Sequence, residues 1–466
     1  MEWRDPRTLL CIDRLDVFLK KLYFDVIGGL RSRDAILIVS LYRKHIAIRT
    51  GGVEPPDSFD ASHHVAKKSV DDYETCARQL LQSVQQHGFR VEFAIPIGTN
   101  LRLTNGAHRL AVAISLGLPQ VPIVPLGDGG QWGIEWFRTH FSRKEFLFLL
   151  NEYSAFRQNS APVVLWGMAE EYLADVKASF AAKGLLAEKV HEVDLKHNFD
   201  GFCMLIHELY GVPLRQNNNI RRKAIIHGAY SRRFSVLHVE PAPALEPVPG
   251  DFFETLSGAK VAVRESLDGR IPKDVFLTVH TPSALPEKRH MQHLLYSPAS
   301  LRFYRYYQYM DDVFHGEFST VLDKLKVFMA QRGYVAREIC VVGSGVLGAC
   351  GVRMPRDIDV VATRFVERKA DEMVEVLRDY SLNTPTLKIS TVELIENPSR
   401  HFLFNGIKFA DANFVCIKKK ISGKPKDGDD LQLVRKHLKK IRDAQPSSFL
   451  RNELLWLEAG VRQGFQ

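Results

Sequence analysis

Ile339-Cys-Val-Val-Gly-Ser-Gly-Val-Leu-Gly-Ala-Cys-Gly-Val-Arg-Met-Pro-Arg-Asp-Ile-Asp-Val-Val361 decides how the carboxyl-terminal third of this chain is read. The run opens as a buried apolar strand, Ile339 to Val342, and breaks at Gly343-Ser344. A short helix is expected just after the break. Its free backbone N–H groups and the Ser344 hydroxyl suit a phosphate, and a glycine lets the backbone come close to one. Asp357 and Asp359 then lie two apart in an apolar run. On a strand, residues i and i+2 share a face, so both carboxylates converge while Ile358 turns into the core. Two carboxylates held together repel one another, and a hard cation that also takes phosphate oxygens, magnesium or manganese, relieves the repulsion.

A third carboxylate is expected on a neighbouring strand, and Phe409-Ala-Asp-Ala-Asn-Phe-Val415 offers Asp411 in a strand-like stretch. Lys418 to Lys426 then reads as a basic loop that continues through Asp427-Gly-Asp-Asp430 into a helix. The apolar face of that helix is Leu431, Val434, Leu438 and Ile441. Before the opening run, Leu322, Leu325, Phe328 and Met329 give a helix closed by Gly333.

This constellation resembles the polymerase-beta-like nucleotidyltransferase superfamily over roughly residues 320–445. The residues that carry the resemblance are the apolar strand, Gly343-Ser344, the 12-residue spacer Gly345 to Arg356, Asp357-Ile-Asp359, the later Asp411, and Lys424-Pro-Lys-Asp-Gly-Asp-Asp-Leu431. The resemblance implies a site in which Asp357, Asp359 and Asp411 hold the metal and act in catalysis. Gly343, Ser344 and Lys424 would bind a nucleoside triphosphate.

A second motif lies far upstream, Leu101-Arg-Leu-Thr-Asn-Gly-Ala-His-Arg-Leu110, running into an Ala-rich helix, Leu116-Gly117 and Val121-Pro-Ile-Val124. Asn105-Gly106 reads as a tight turn at a helix start. His108 and Arg109 would add donors beside the free N–H groups, and Arg binds phosphate through two bonds at once. The preceding amphipathic helix, Val70 to His87, has Tyr73, Ala77, Leu80, Leu81 and Val84 on one face. With that helix, residues 60–125 resemble the ParB/sulfiredoxin-like fold. The resemblance implies nucleotide binding at Asn105, Gly106, His108 and Arg109, or a small-molecule kinase. No cysteine occupies the turn, which argues against sulfiredoxin chemistry. Glu54, Asp57, Asp60, Asp71 and Asp72 are candidate acids among which no base stands out.

The remaining elements are read by periodicity. Leu15 to Leu30 suits a helix, while Ala35 to Val39 and Ile46 to Ile48 suit strands. Pro162 to Trp166, Glu192 to Leu195, Phe234 to Val239 and Asp274 to His280 read as strands around a helix, Ala169 to Lys183. Pro241 to Gly250 is the clearest loop. Gly167 could admit a ligand, and Arg264, His280 and Glu287 stand near strand ends. This middle region resembles accessory parts of bacterial surface-polysaccharide gene products.

The chain has 466 residues, which suits several domains of ordinary size. The expected fold class is α/β and α+β multidomain: a ParB/sulfiredoxin-like domain at 1–157, an α/β middle domain at 160–300 and a nucleotidyltransferase-like domain at 301–466. Net charge is +9, spread along the chain, which favours anionic partners without an RNA-binding module to single out nucleic acid. Cysteines at 11, 76, 203, 340, 350 and 416 form no CxxC pair, so a zinc site and a disulfide framework both fail on spacing. The start, Met1-Glu-Trp-Arg-Asp5, lacks a signal peptide's basic and apolar regions. No run of about 18 apolar residues exists, and a cytoplasmic protein without a spanning segment is expected.

The function these readings imply is metal-dependent nucleotidyl or phosphoryl transfer to a small phosphorylated metabolite or sugar, in a setting such as surface-polysaccharide synthesis. The alternatives are a nucleotidyltransferase acting on nucleic acid and a non-catalytic nucleotide sensor or scaffold.

Overall fold

The computed structural model describes residues 2–53, 67–98, 101–127, 132–195, 198–211, 218–242, 251–271, 278–307, 312–365, 373–383 and 388–444. The readings placed on Glu54, Asp57 and Asp60, on 243–250 of the Pro-rich loop and on 274–277 lie outside the described residues. The fold is mixed α/β. Helices alternate with a three-stranded, a four-stranded, a five-stranded and a two-stranded sheet. Among the described residues no helix is long and apolar enough to cross a membrane.

The chain divides into two compact units, 1–161 with 174–190 and 237–266, and 162–173 with 191–236 and 267–466. In the first, the strand Val121–Pro125 is central. It runs parallel to Ile95–Ile97 on one side and antiparallel to Glu2–Arg4 on the other. The expected strand at Leu101 to Leu103 reduces to one isolated bridge, Leu103 opposite Ile97. The helix Val70–His87 forms with the expected face inward, Tyr73, Ala77, Leu81 and Val84 being buried. The helix Leu15–Ile27 is buried on nearly every side and packs against Ala107–Ser115.

The two short strands expected at 35–39 and 46–48 are instead one helix, Ala35–Thr50. Its buried residues are Ile38, Leu41, Tyr42, His45 and Ile46, a 3, 4, 7, 8 spacing that only a helix puts on one face. Tyr42 and His45 belong to that face. Reading only the aliphatic residues split it in two.

In the second unit, the five-stranded sheet has the order Val374–Leu377, Ile358–Ala362, Ile339–Val342, Ile407–Ala410, His401–Phe404. The central strand, Ile339–Val342, runs antiparallel to Ile358–Ala362 and parallel to Ile407–Ala410. Every residue of that strand is buried, as its unbroken apolar run requires. The strand expected across 409–415 ends at Ala410, and the chain turns at Asp411 into the helix Ala412–Ser422. The basic loop expected at 418–426 is mostly helical too. That helix closes at Gly423, in the left-handed region, and the next helix, Pro425–Ala444, takes in Asp427 to Asp430. Val434 is buried against Leu347 and Cys416, with Leu431 and Leu438 packed beside them.

Among the middle strands the sheet order is Leu185–Asp194, Arg233–Pro241, Ala161–Trp166, Val279–His280. Strand, helix and strand alternate here as expected. Gly167 admits no ligand: a Cβ there would lie 2.5 Å from the Arg233 carbonyl oxygen and from Ser231 Oγ, so the close approach is to the chain itself.

Candidate functional site

The helix Gly343–Ala349 begins directly at the end of the central strand. Gly343 has φ of +59°, a left-handed conformation costly for any residue with a Cβ. A Cβ there would also meet Asp359 Oδ2 at 2.5 Å, so glycine is required twice over. Ser344 is buried and donates its hydroxyl to the Asp357 carbonyl, 3.3 Å away, which ties the start of this helix to the start of the aspartate strand.

Asp357 stands one residue before that strand and Asp359 within it, opposite Val342 of the central strand. Ile358 is buried between them, as the alternation demands. On the other side, Glu375 of the parallel strand Val374–Leu377 is in register with Asp359. Burial, joined by the negative charges of Asp357 and Glu375, pushes the Asp359 carboxyl up to about 6 against the opposing pull of Lys426 and Lys419. Three carboxylates therefore act on one spot.

The carboxylate neighbouring Asp359 across the sheet is thus Glu375, and Asp411 follows the strand on the other side of the central one. The central strand separates the aspartate strand from Ile407–Ala410, after which Asp411 comes. Asp411 caps the following helix. Its Oδ1 accepts from the Asn413 backbone N–H at 2.8 Å and its Oδ2 from Arg302 Nη1 at 2.8 Å. Both carboxylate oxygens have a structural task.

The cations beside the site also differ from expectation. Lys424 is exposed, and its carbonyl oxygen accepts from the Asp427 and Gly428 N–H groups at 2.9 and 3.2 Å. Lys426 and Lys419 are the cations that act on Asp359. Lys419 is buried and bridges Asp427 at 2.9 Å and Asp430 at 2.7 Å, while Asp430 also holds Arg353 at 3.0 Å. Tyr380 completes the rim. Burial, with the charge on Asp359, raises its hydroxyl above an ordinary tyrosine, against the opposing pull of the Gly343 N–H. Its ring lies 5.8 Å from that of Phe414, with the Lys418 ammonium 5.2 Å from its centroid.

Sequence reading missed Glu375 and Tyr380. The signal for Glu375 was present in Val374-Glu-Val-Leu377, a carboxylate alternating with β-branched residues as in Ile358-Asp-Val-Val361. Among the described residues no three His, Cys, Asp or Glu side chains stand arranged to hold a metal ion. The donor chemistry nonetheless fits a hard divalent cation. The available ligands are carboxylate oxygens, and the negative charges of Asp357 and Glu375, which add to burial in raising Asp359, are what such an ion would offset.

The turn Asn105-Gly106 forms as read. Gly106 has φ of +82°, Asn105 Oδ1 accepts from the Gly106 N–H at 2.6 Å, and the helix Ala107–Ser115 follows. The two donors beside the turn face inward. Arg109 Nη1 donates to the Phe93 and Ala94 carbonyls at 2.9 and 3.1 Å, and its guanidinium covers Gly106. His108 Nε2 lies 3.0 Å from the Tyr42 hydroxyl, and Phe24, Tyr42 and Tyr73 surround the ring. Burial and the nearby Lys20 hold the ring well below an ordinary histidine.

Nearby in the same unit, Asp16 is fully buried and takes Arg14 Nε at 2.9 Å and Lys20 Nζ at 2.6 Å. Lys20 Nζ in turn lies 3.3 Å from His45 Nε2. Burial pushes Lys20 down to about 8, although Asp16 opposes the shift. In the second unit, His280 Nε2 stands 3.6 Å from Glu287 Oε1.

Comparison with protein-family models, with curated proteins and with solved structures found no match for this chain.

Proposed function

We propose that the carboxyl-terminal part of the chain, residues 301–466, is a nucleotidyltransferase-like domain that transfers a nucleotidyl group from a nucleoside triphosphate to a small phosphorylated metabolite or sugar. The observation that carries this reading is the register of Glu375 with Asp359, which adds a third carboxylate to the pair beside the Gly343 turn. Asp357, Asp359 and Glu375 would hold magnesium or manganese, which supplies charge neutralisation of the triphosphate and activation of the attacking oxygen when bound.

The chain's own residues have separate tasks. Gly343 gives a phosphate room beside Asp359. Lys426 and Lys419 offset negative charge near the carboxylates. The acceptor hydroxyl would attack the α-phosphate in line, losing its proton to solvent, with pyrophosphate leaving on the far side. Asp411 is assigned to holding the helix Ala412–Ser422 and Arg302.

For residues 1–157 the reading remains a ParB/sulfiredoxin-like domain, supported by the succession of strand, Gly106 turn, helix and parallel strand. His108 and Arg109 are given a bracing role there, since both are bonded inward. A cytoplasmic setting and a part in surface-polysaccharide synthesis are the proposed context.

The test is a panel of ATP, CTP, GTP and UTP with magnesium and candidate sugar phosphates, scored for pyrophosphate release. Release that depends on magnesium and disappears in Asp359→Asn supports the reading. Release that survives Asp359→Asn and Glu375→Gln alike would sink it.

A further inference from the structure

The unit that carries the carboxylates also contains a cavity of about 90 Å³, partly open to solvent. Phe303, Leu347, Phe402, Cys416, Val434 and Leu438 give it apolar walls, and the Phe303 and Phe402 rings stack at 4.1 Å between centroids. The charged groups on the wall are engaged. Arg302 Nη1 donates to Asp411 Oδ2 at 2.8 Å, Asp411 Oδ1 takes the Asn413 backbone N–H at 2.8 Å, and His437 has a partner of its own. The Cys350 and Cys416 thiols are pushed up to about 12 by burial and stay neutral. The Asn413 side chain differs. It is 8% exposed, and its Nδ2 is buried with no hydrogen-bond partner among the described residues. A buried amide donor left unpaired is costly and uncommon in native proteins.

Size and chemistry together narrow what can satisfy that donor. An apolar cavity of about 150 Å³ takes the six carbons of benzene, so one of about 90 Å³ takes, in proportion, about three or four non-hydrogen atoms. A lone water is poorly held there, because a buried water needs about two to four polar partners and the wall leaves one donor. A carboxylate would give up its hydration for that single bond, which is costly. A hydroxyl brings a proton that needs a second partner. A neutral carbonyl oxygen only accepts, so it matches a lone donor, and a methyl group beside it matches the apolar walls. A carbonyl and a methyl of that combined size make an acetyl group, and an amide nitrogen attached to it stays in water at the mouth.

Two helices connect the cavity to the carboxylates. One starts at Gly343, against Asp359, and places Leu347 about 6 Å along its axis. The other, Ala412–Ser422, brings Asn413 and Cys416 to the cavity, and one turn beyond Cys416 stands Lys419, which acts on Asp359. That separation is of the order of one sugar ring. We propose that the cavity seats the N-acetyl substituent of the acceptor, which makes that acceptor an N-acetylated amino sugar or its phosphate. Asn413 donates to the acetyl carbonyl oxygen, and the methyl lies among the apolar side chains. This rests on the nucleotidyltransferase reading and specifies its acceptor. With the substituent in the cavity, the reacting oxygen stays beside the carboxylates.

The test compares the full chain with Asn413→Leu, which removes the donor, and with Leu438→Phe, which narrows the cavity, each checked for native circular dichroism. The probes are sugars of the gluco and galacto series, free and as 1-phosphates, each unsubstituted, N-acetylated and N-benzoylated. Calorimetry with magnesium measures their binding, and saturation-transfer NMR follows the acetyl methyl. An N-acetylated sugar is expected to bind at least about tenfold more tightly than its unsubstituted form, with the methyl its most strongly saturated signal. The N-benzoylated form is expected to bind no better than the unsubstituted one, and both variants are expected to lose the acetyl preference. Equal affinity with and without the acetyl group, tighter binding of the N-benzoylated form, or a preference indifferent to both variants overturns the proposal. Magnesium-dependent pyrophosphate release that is indifferent to the acetyl group overturns the acetyl seat and leaves the transferase reading standing. An acetyl preference lost in both variants, in a protein that releases pyrophosphate from none of the four triphosphates, leaves the seat standing and overturns the transferase reading. Neither binding nor release overturns both.

Discussion

Glu375 lies directly across a parallel strand pair from Asp359, so one carboxylate faces another over the width of a single strand step. Burial raises the Asp359 carboxyl most, Asp357 and Glu375 add to it, and the register makes Glu375 the most informative position to change. If it is a metal ligand, Glu375→Gln lowers magnesium-dependent pyrophosphate release by at least about 100-fold, the upper end of what even outer-shell partners of a metal contribute. Steady-state kinetics over a magnesium series checks this.

The raised Asp359 carboxyl fixes a pH dependence of stability. Its folded value is about 6 against 3.8 for an ordinary aspartate, so the folded state binds the proton more tightly than the unfolded state. Stability should therefore fall as pH rises from about 4 to 6 and level off above, by no more than about 3 kcal/mol from this group. Asp359→Asn should flatten that slope. Urea unfolding of both proteins at pH 4.5, 6 and 7.5, without metal, measures it.

Asp411 and Glu375 part company under magnesium. Asp411→Asn retains a helix-capping oxygen and should keep the magnesium-induced rise in Tm at pH 7.5. Glu375→Gln should lose it. A rise lost in Asp411→Asn and kept in Glu375→Gln would return Asp411 to the metal and remove Glu375.

Gly343→Ala should both destabilise the protein and inactivate it. The left-handed φ of +59° costs about 1–2 kcal/mol for a residue with a Cβ. The new methyl would also press on Asp359 Oδ2. Gly423→Ala has a similar φ, +63°, with open space where its Cβ would stand, so comparing the two by denaturation and activity isolates the pressure on the carboxylate.

In the first unit, Asp16→Ala strands Arg14 and Lys20 without their shared buried counter-charge and should cost about 3–5 kcal/mol in chemical denaturation. Arg109→Ala removes donors from the Phe93 and Ala94 carbonyls and should cost less, about 1–3 kcal/mol.

Much of this was legible in the sequence, and the exceptions share a cause. The Gly343 turn, the aspartate strand and the helix Val70–His87 are local, and each is specified by a few adjacent residues. The helix Ala35–Thr50 was obscured because two of its five buried residues are tyrosine and histidine, which an aliphatic pattern overlooks. Asp411 was read as a ligand because it follows an apolar strand. Whether a carboxylate at a strand end caps a helix or reaches a site depends on strand order, which no local pattern contains. Arg109 looks like a phosphate ligand by type and position, yet it bonds backbone fifteen and sixteen residues back along the chain.

Lys419 carries a consequence of its own. Asp427 and Asp430, both on the helix Pro425–Ala444, hold its ammonium, while its charge already reaches Asp359. The helix Pro425–Ala444 thus works as a leash. By keeping one built-in positive charge engaged on its own aspartates, it lets that charge temper Asp359 from a fixed station.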